Sequence, residues 1–260
     1  MRWYCPHIFT LNALILNPGK IKLHILSPYS TPLSYIHMVD LRNSDFAQAH
    51  LSAKEEEKKA ELWCEDCWLL RTYCICPVLH EIQPSLTLGP NRLLIYMHYK
   101  EYRRSSNSAV LLRKLLGGET KVVMFGTEHG KVEFQRELED QTLRSCVLFP
   151  CAESVPVTEW MAQRPGLPIR LVALDGTWTQ CRKMSKSLPK SLALVHLSPE
   201  APSRFRSRKQ TAGNRLSTLE AVALAWKLLG VDVMEGLMRA FDAKDRAGMS
   251  QKHRAYALSD

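Results

Sequence analysis

The sequence lacks a long apolar run, and it lacks the glycine patterns that hold nucleotides in many enzymes. A helix that crosses a membrane needs about 18 or more apolar residues in succession, and no run here approaches that length. Neither a Walker loop nor a G-x-G-x-x-G fingerprint occurs. We therefore expect a soluble protein with no membrane partner, and an NTP- or NAD-dependent enzyme of the usual kind is disfavoured.

Acidic residues are also scarce, and the shortage is local. The chain has 35 Lys and Arg against 26 Asp and Glu, which gives a formal net charge of +9. Between Arg182 and Arg215, nine basic residues accompany a single acidic one, Glu200. A solvated basic surface would explain such a run, but its concentration in one segment favours an anionic partner. Nucleic acid is the partner that this pattern predicts.

The first part of the chain contains no Asp or Glu up to residue 39. It resembles an organelle transit peptide only weakly, because Arg2 is its single arginine. We expect residues 1–53 to form a poorly ordered N-terminal extension. Opposite charges three or four apart predict a helix over residues 54–62. Residues 54–80 should hold this helix and a cysteine knuckle, and residues 81–260 the main domain.

Cysteine is concentrated in one place. Four of the eight cysteines lie within thirteen residues, as Cys64-Glu-Asp-Cys67 and Cys74-Ile-Cys76. Two close pairs are what a four-thiolate zinc site needs, although a single residue between the second pair is tighter than usual. We predict a structural zinc ion held by Cys64, Cys67, Cys74 and Cys76, with disulfides or redox chemistry as alternatives. A chain of this size folds without disulfides, so we expect an intracellular protein of the cytoplasm or nucleus.

Apolar strand patterns alternate with helical patterns after the knuckle. Strand patterns cover residues 93–98, 121–125, 146–149, 171–174 and 193–197, and helical patterns cover 109–116, 134–143 and two stretches after residue 217. Such alternation predicts an α/β domain with a largely parallel sheet.

The most informative stretch is residues 171–180, Leu-Val-Ala-Leu-Asp-Gly-Thr-Trp-Thr-Gln. Its four apolar residues predict a strand covered on both faces. Asp175 then falls at the carboxyl end of that strand, where open α/β sheets hold their ligands. Thr177 can cap a following helix. A plain strand-turn-helix corner with Trp178 in the core is the alternative interpretation.

A second motif, Ser217-Thr218-Leu219-Glu220, begins a predicted helix. The pattern is that of a capping box, in which Ser217 and Glu220 bond each other's backbone N–H groups. This structural role alone would account for both residues. A helix N-terminus also binds carboxylates and phosphates, and the basic run just before it keeps an anion site open as a hypothesis.

In their order, these motifs resemble the DTW-domain proteins. Asp175-Gly176-Thr177-Trp178 matches the Asp-x-Thr-Trp signature of that family, and Ser217-Thr218-Leu219-Glu220-Ala221 is similar to its second motif. The resemblance also includes the four knuckle cysteines, His98 with Glu101 and Arg103, and Asn107, and it covers about residues 62–256.

The resemblance implies a fold and an activity. The fold is SPOUT-like α/β, with a knotted C-terminal half that holds the cofactor. The activity is that of a tRNA-uridine aminocarboxypropyltransferase, which transfers the 3-amino-3-carboxypropyl group of S-adenosylmethionine to N3 of a tRNA uridine. Methylthioadenosine is the by-product.

The resemblance also suggests roles for single residues. The catalytic group would be Asp175, Thr177 and Trp178, with Asp175 as general base, as orienter of the uridine N3–H, or as partner of the donor's ammonium group. The cofactor would be bound by Asn107, Ser217, Thr218 and Glu220. The tRNA would be bound by Arg204, Arg206, Arg208, Lys209 and Arg215.

Three other functions are compatible with the sequence. A SPOUT-like RNA methyltransferase would use the same donor but transfer its methyl group, and an rRNA aminocarboxypropyltransferase would accept a different RNA. A non-catalytic RNA-binding module would need only the zinc knuckle and the basic run. The carboxylate and indole at the end of a strand favour an enzyme. The modified tRNA position and the oligomeric state do not follow from the sequence.

Overall fold

The computed structural model describes residues 41–58, 62–163, 166–198, 203–206 and 215–257. The chain divides into two units, Met1–Val39 and Asp40–Asp260. All described residues belong to the second unit, so most of the predicted N-terminal extension lies outside them.

Six strands form one sheet in the described part of the chain. They are β1 (Arg92–His98), β2 (Thr120–Phe125), β3 (Arg144–Leu148), β4 (Val155–Pro156), β5 (Ile169–Asp175) and β6 (Ala193–His196). Their order across the sheet is β2-β1-β5-β3-β6-β4, and every neighbouring pair is parallel. The predicted α/β class with a largely parallel sheet is therefore confirmed.

The described helices are α1 (Leu41–Lys58), α2 (Cys76–Ile82), α3 (Ala109–Leu116), α4 (Glu128–Glu139), α5 (Val157–Ala162), α6 (Trp178–Lys186), α7 (Thr218–Leu228) and α8 (Met234–Ala257). Short 3₁₀ turns lie at Arg71–Tyr73, Gln83–Ser85, Tyr99–Glu101 and Gly117–Glu119. Within the described residues, no helix has the length and apolar character that a membrane crossing requires.

The sheet separates two apolar cores. The larger core packs one face against α2, α3, α7 and α8, and the smaller core packs the other face against α4 and α6. Strand β5 is buried along its whole length. Leu171 and Ala173 belong to the larger core, and Val172 and Leu174 belong to the smaller one. An unbroken apolar run suits a strand with a core on each side.

The strand order reverses between β1 and β5, which lie side by side. From β1 the chain continues to β2 on one side, and from β5 it continues to β6 on the other. Loops that leave the carboxyl ends of two such strands diverge and open a crevice between them. Met97 on β1 and Asp175 on β5 are register partners at this point.

Several predicted elements differ from the structure. The helix predicted over residues 54–62 begins at Leu41, so residues 41–53 are helical rather than part of a poorly ordered extension. Helix α4 begins at Glu128 rather than near residue 134, because the Thr127 side chain caps it by accepting a hydrogen bond from Gly130 N–H at 3.0 Å. The two-residue strand β4 and the helices α2 and α5 were not predicted, since all three are too short for a periodic pattern.

Phe241 on α8 should be a major contributor to stability. Its side chain is 1% exposed and its ring lies 5.4 Å from that of Phe205. Phe241→Ala should lower the free energy of unfolding by about 3–5 kcal/mol, because it leaves a cavity in a packed core. Urea unfolding measures this. The matched control Phe46→Ala, at a 65% exposed position, should change it by less than about 0.5 kcal/mol. Equal losses in the two variants would contradict this account of the core.

Candidate active site and metal centre

Asp175 lies at the carboxyl end of β5, and its carboxylate joins three elements. Oδ2 accepts a hydrogen bond from Asn107 Nδ2 at 2.6 Å, and Oδ1 accepts one from Thr218 Oγ1 at 2.7 Å. Asn107 Oδ1 in turn accepts from Val110 N–H at 3.0 Å at the start of α3. Asp175 is 4% exposed and Asn107 is 1% exposed. Asp175, Asn107 and Thr218, which the sequence separates widely, are thus in direct contact.

Thr177 and Trp178 begin α6 directly after this strand. Thr177 Oγ1 accepts from Gln180 N–H at 3.3 Å, and Gln180 Oε1 accepts from Thr177 N–H at 2.6 Å, which completes a capping box. Trp178 is only partly buried. Its ring centroid lies 5.9 Å from that of Phe149, and the Arg215 guanidinium lies over it at 4.7 Å. The Thr177 hydroxyl therefore fixes the helix start that positions the indole.

Ser217 and Glu220 form the predicted capping box at the start of α7. Ser217 Oγ accepts from Glu220 N–H at 3.3 Å, and Glu220 Oε2 accepts from Ser217 N–H at 2.8 Å. The buried Glu220 carboxylate also accepts from Ser203 Oγ at 2.6 Å and from Arg204 N–H at 2.8 Å. Glu220 therefore ties the helix cap to residues 203–206. The Ser217 N–H is engaged within the cap.

An open cleft with a cavity volume of about 120 Å³ lies beside this corner. Its walls come from the carboxyl ends of β3 and β5, the start of α6, and the start of α7, and they include Phe149, Trp178, Ser217 and Thr218. Most of the lining side chains are apolar. An apolar cleft with a few polar groups is typical of small-molecule sites. Thr218, which lines the cleft, donates the hydrogen bond to Asp175.

Two of the arginines predicted to contact RNA form ion pairs with α8. Arg204 pairs with Asp242, and Arg206 Nε donates to Asp245 Oδ2 at 2.9 Å. The Arg206 backbone N–H also donates to Asp245 Oδ1 at 3.1 Å. The two arginine side chains are nevertheless 59% and 68% exposed. They are therefore held in place and still accessible from solvent.

The residues around these arginines differ in their placement. Phe205 packs inward against Phe241 and is buried, so it does not offer its ring to an RNA base. Arg215 lies over Trp178 at the cleft. Arg208 and Lys209 lie outside the described residues.

His98 ends β1, on the face of the sheet opposite to the Asp175 carboxylate. Its ring stacks on Tyr99 at 4.7 Å, and its Nδ1 accepts from Lys100 N–H at 3.2 Å. Burial, together with the nearby charge of Lys100, lowers the pKa of His98 to about 4, so the imidazole is neutral at neutral pH. His98, Glu101 and Arg103, which belong to the resemblance, do not occur among the described residues that line the cleft.

The four knuckle cysteines (residues 64–76) form a cluster whose sulfurs all lie within 4.8 Å of one another. Cys64 Sγ is 3.5 Å from Cys76 Sγ, and Cys67 Sγ is 3.9 Å from Cys74 Sγ. Four thiolates about 2.3 Å from zinc form a tetrahedron with edges of about 3.8 Å. All four cysteines are free thiols. The geometry therefore fits the predicted four-thiolate metal site.

The knuckle also contacts the C-terminal helix. Lys244 on α8 is buried and donates to the backbone carbonyl of Cys67, and Gln251 Oε1 accepts from Leu70 N–H at 2.9 Å. Burial lowers the pKa of Lys244 to about 8. Its ammonium group offsets negative charge on a thiolate cluster. Sequence reasoning missed Lys244, Asp242 and Asp245, because no local pattern on a long helix points to such distant partners.

Open α/β sheets bind ligands outside the carboxyl ends of their strands, and the cleft lies at the carboxyl ends of β3 and β5. The DTW domain model matches residues 61–247, and the chain belongs to the DTW domain family.

Several relatives carry the name tRNA-uridine aminocarboxypropyltransferase 2. The chain is 28% identical to that of Mus musculus over 200 residues, which cover 74% of this chain and 65% of the relative. It is 27% identical to that of Macaca fascicularis over 218 residues, which cover 76% and 71%. It is 31% identical to that of Drosophila melanogaster over 167 residues, which cover 62% and 63%. The chain thus spans about two thirds of the length of these curated relatives. No solved structure matches the chain at a significant level.

The purified protein should contain one zinc ion per chain, and Cys67→Ser should remove most of it, because three thiolates no longer complete the tetrahedral shell. Elemental analysis by mass spectrometry measures the metal. Cys151→Ser, which changes a partly buried cysteine outside the knuckle, is the matched control. Removal of zinc by a chelator should lower Tm, since α8 packs on the knuckle. A metal content that is the same in both variants would contradict the site.

Proposed function

We propose that this protein is a tRNA-uridine aminocarboxypropyltransferase, which uses S-adenosylmethionine to modify N3 of a tRNA uridine. Membership of the DTW family and the names of its relatives support the class of enzyme. The observation that carries the proposal is the Asp175 corner. There a buried carboxylate, hydrogen-bonded to Asn107 and Thr218, lies at the strand switch point beside an apolar cleft.

The cleft is the proposed site for S-adenosylmethionine. An adenine ring needs an apolar and planar surface, which Phe149 and Trp178 offer. The donor's carboxylate needs positive potential, and the N-terminus of α7 at Thr218 supplies it. Ser217 and Glu220 support this terminus through the cap, and Asn107 supports the cleft through Asp175. A SPOUT-like knot in the C-terminal half is part of the same proposal.

The chemistry is a displacement at carbon. The N3 lone pair of the uridine attacks the γ-carbon of the donor, the C–S bond breaks, and its electron pair returns to sulfur. The cationic sulfonium thereby becomes neutral methylthioadenosine, so the leaving group needs no proton. The N3 proton must leave before or during the attack, and alignment of the two reactants provides the rest of the catalysis.

Asp175 is the proposed acceptor or orienter of the N3 proton. Two donated hydrogen bonds stabilise its ionised form and fix the direction of its oxygens. Thr177 contributes by holding the start of α6, and Trp178 contributes an aromatic face at the cleft. Asp175 as partner of the donor's ammonium group is the other role that the same contacts allow.

The tRNA is proposed to bind across Arg204, Arg206 and Arg215, with Arg208 and Lys209 in the adjoining segment. Ion pairs with α8 orient the first two arginines while their guanidinium groups stay exposed to phosphates. Binding of this kind weakens steeply with salt because counterions are released. A tRNA substrate and a set of free thiols both suit an intracellular protein of the cytoplasm or nucleus.

The activity can be tested with unmodified total tRNA and S-adenosylmethionine labelled either in the methyl group or in the amino acid carboxylate. Carboxylate label should enter uridine, and methylthioadenosine should be released, as measured by nucleoside mass spectrometry. Methyl label in RNA would instead identify a methyltransferase. Label in purified rRNA but not in tRNA would identify the rRNA enzyme, and no label from either donor would favour a binding module.

Asp175→Asn tests the catalytic assignment. The change keeps the size of the side chain but removes the charge, so the transfer rate should fall by about 100-fold or more, while tRNA affinity should stay within about threefold of the original. Asp45→Asn, at an exposed position on α1, is the matched control and should transfer normally. An unchanged transfer rate in Asp175→Asn would show that the Asp175 carboxylate has no role in the reaction. Parallel measurement of Tm separates a loss of rate from a loss of folding.

A further inference from the structure

A second cavity lies between the knuckle, α3 and the edge of the sheet, and we call it the knuckle pocket. Its volume is about 270 Å³. Met97, Val110, Val122 and Met124 form an apolar floor, Trp68 and Tyr102 form an aromatic wall, and Glu65, Asp66, Arg103 and Arg113 form a charged rim. It shares no lining residue with the cleft, so the two are separate sites.

Two residues of this pocket have unusual backbone conformations. Trp68 and Arg103 have φ values of 57° and 52°, and they are the only non-glycine residues with positive φ in the described part of the chain. Glycine would adopt this conformation at lower cost. The two side chains are thus held at the pocket by backbone conformations that most residues adopt only at a cost.

The aromatic wall is held in place from outside the pocket. Trp68 and Tyr102 meet edge to face at 5.5 Å. Tyr102 donates to the Glu55 carboxylate of α1, and Arg103 Nη2 lies 2.8 Å from Glu55 Oε2. The Arg103 side chain is only 12% exposed. Both wall and rim are therefore ordered before any ligand arrives.

The rim carries both signs of charge. Asp66 pairs with Lys114 at 2.9 Å and lies 4.0 Å from Arg113, whose side chain is 47% exposed. A purely anionic ligand would be repelled by Glu65 and Asp66, and a purely apolar one would remove water from these charged groups at a cost. A nucleobase suits this rim, because its edge has donors and acceptors, its faces stack on aromatic rings, and its phosphate suits an arginine.

A chain of hydrogen bonds connects the knuckle pocket to the cleft. Val110 on the pocket floor donates to Asn107, which donates to Asp175, which accepts from Thr218 at the cleft. Met97 on the floor is also the register partner of Asp175. The floor thus lies one strand spacing, about 4.8 Å, from the backbone of Asp175.

We propose that the knuckle pocket binds an unpaired nucleobase of the RNA substrate, stacked on one ring of the Trp68 and Tyr102 wall and edge-on to the other, with its phosphate on Arg113. The choice of RNA as the ligand rests on the proposed function. The pocket gives the knuckle a direct role in recognition of the substrate, in addition to the basic residues near α7.

Cavity filling tests the proposal by direct binding of unmodified tRNA. Val122→Phe places a ring in the pocket and should weaken tRNA binding by roughly 5- to 150-fold, the effect of losing one stacked base. S-adenosylmethionine affinity should be unchanged, because Val122 lies outside the cleft. Val132→Phe, the same substitution at a 53% exposed position on α4, should bind tRNA normally. If both variants bind tRNA equally well, the proposal is wrong.

A rim variant and a cross-linking experiment test the same proposal without filling the cavity, so their results do not depend on whether Val122→Phe disturbs folding. Arg113→Ala changes an exposed side chain and should weaken tRNA binding, whereas Arg136→Ala on α4 should not. Irradiated tRNA containing 4-thiouridine should cross-link to peptides that contain Trp68 or Tyr102. Cross-links elsewhere, with full binding by Arg113→Ala, would overturn the proposal.

The two proposals can fail separately. If the protein transfers the group to tRNA and the pocket variants have no effect, the proposed enzyme function is supported and the proposed RNA-binding role of the pocket is wrong. If tRNA cross-links in the pocket but no transfer occurs, the proposed RNA-binding role of the pocket is supported and the proposed enzyme function is wrong.

Discussion

The buried carboxylate of Asp175 is the group on which the architecture of this site depends. It ends the central strand β5 and accepts hydrogen bonds from Asn107 before α3 and from Thr218 at the start of α7. A buried charge without such partners is costly. These hydrogen bonds therefore fix the positions of the two helices relative to the strand. Those positions in turn determine the shape of the cleft beside them.

The C-terminal helix α8 supports both proposed RNA-binding regions, which are the arginines before α7 and the knuckle. Its acidic residues Asp242 and Asp245 hold Arg204 and Arg206, and its Lys244 reaches the knuckle at Cys67. One helix thus sets the position of the basic segment and of the four-cysteine cluster. Since its Phe241 packs in the larger core, both are anchored to the main body of the domain.

What could be predicted from the sequence was chemistry whose partners are close along the chain. The cysteine pairs, the strand that ends at Asp175, and the capping box of Ser217 and Glu220 all follow from local spacing, and the structure has each of them. The start of α1 was missed because that helix has no clear apolar stripe. The partners of Lys244 and the wall of the knuckle pocket depend on residues that are distant in sequence, so no local pattern reveals them.

Glu220 has a thermodynamic consequence for an enzyme with two substrates. Its carboxylate accepts hydrogen bonds both from the α7 cap and from Ser203 and Arg204. A ligand that moves either partner therefore changes the free energy of the other. If RNA engages residues 203–206 and the donor engages the α7 terminus, each alters the affinity of the other by the same factor. Glu220 would then couple binding at one site to binding at the other.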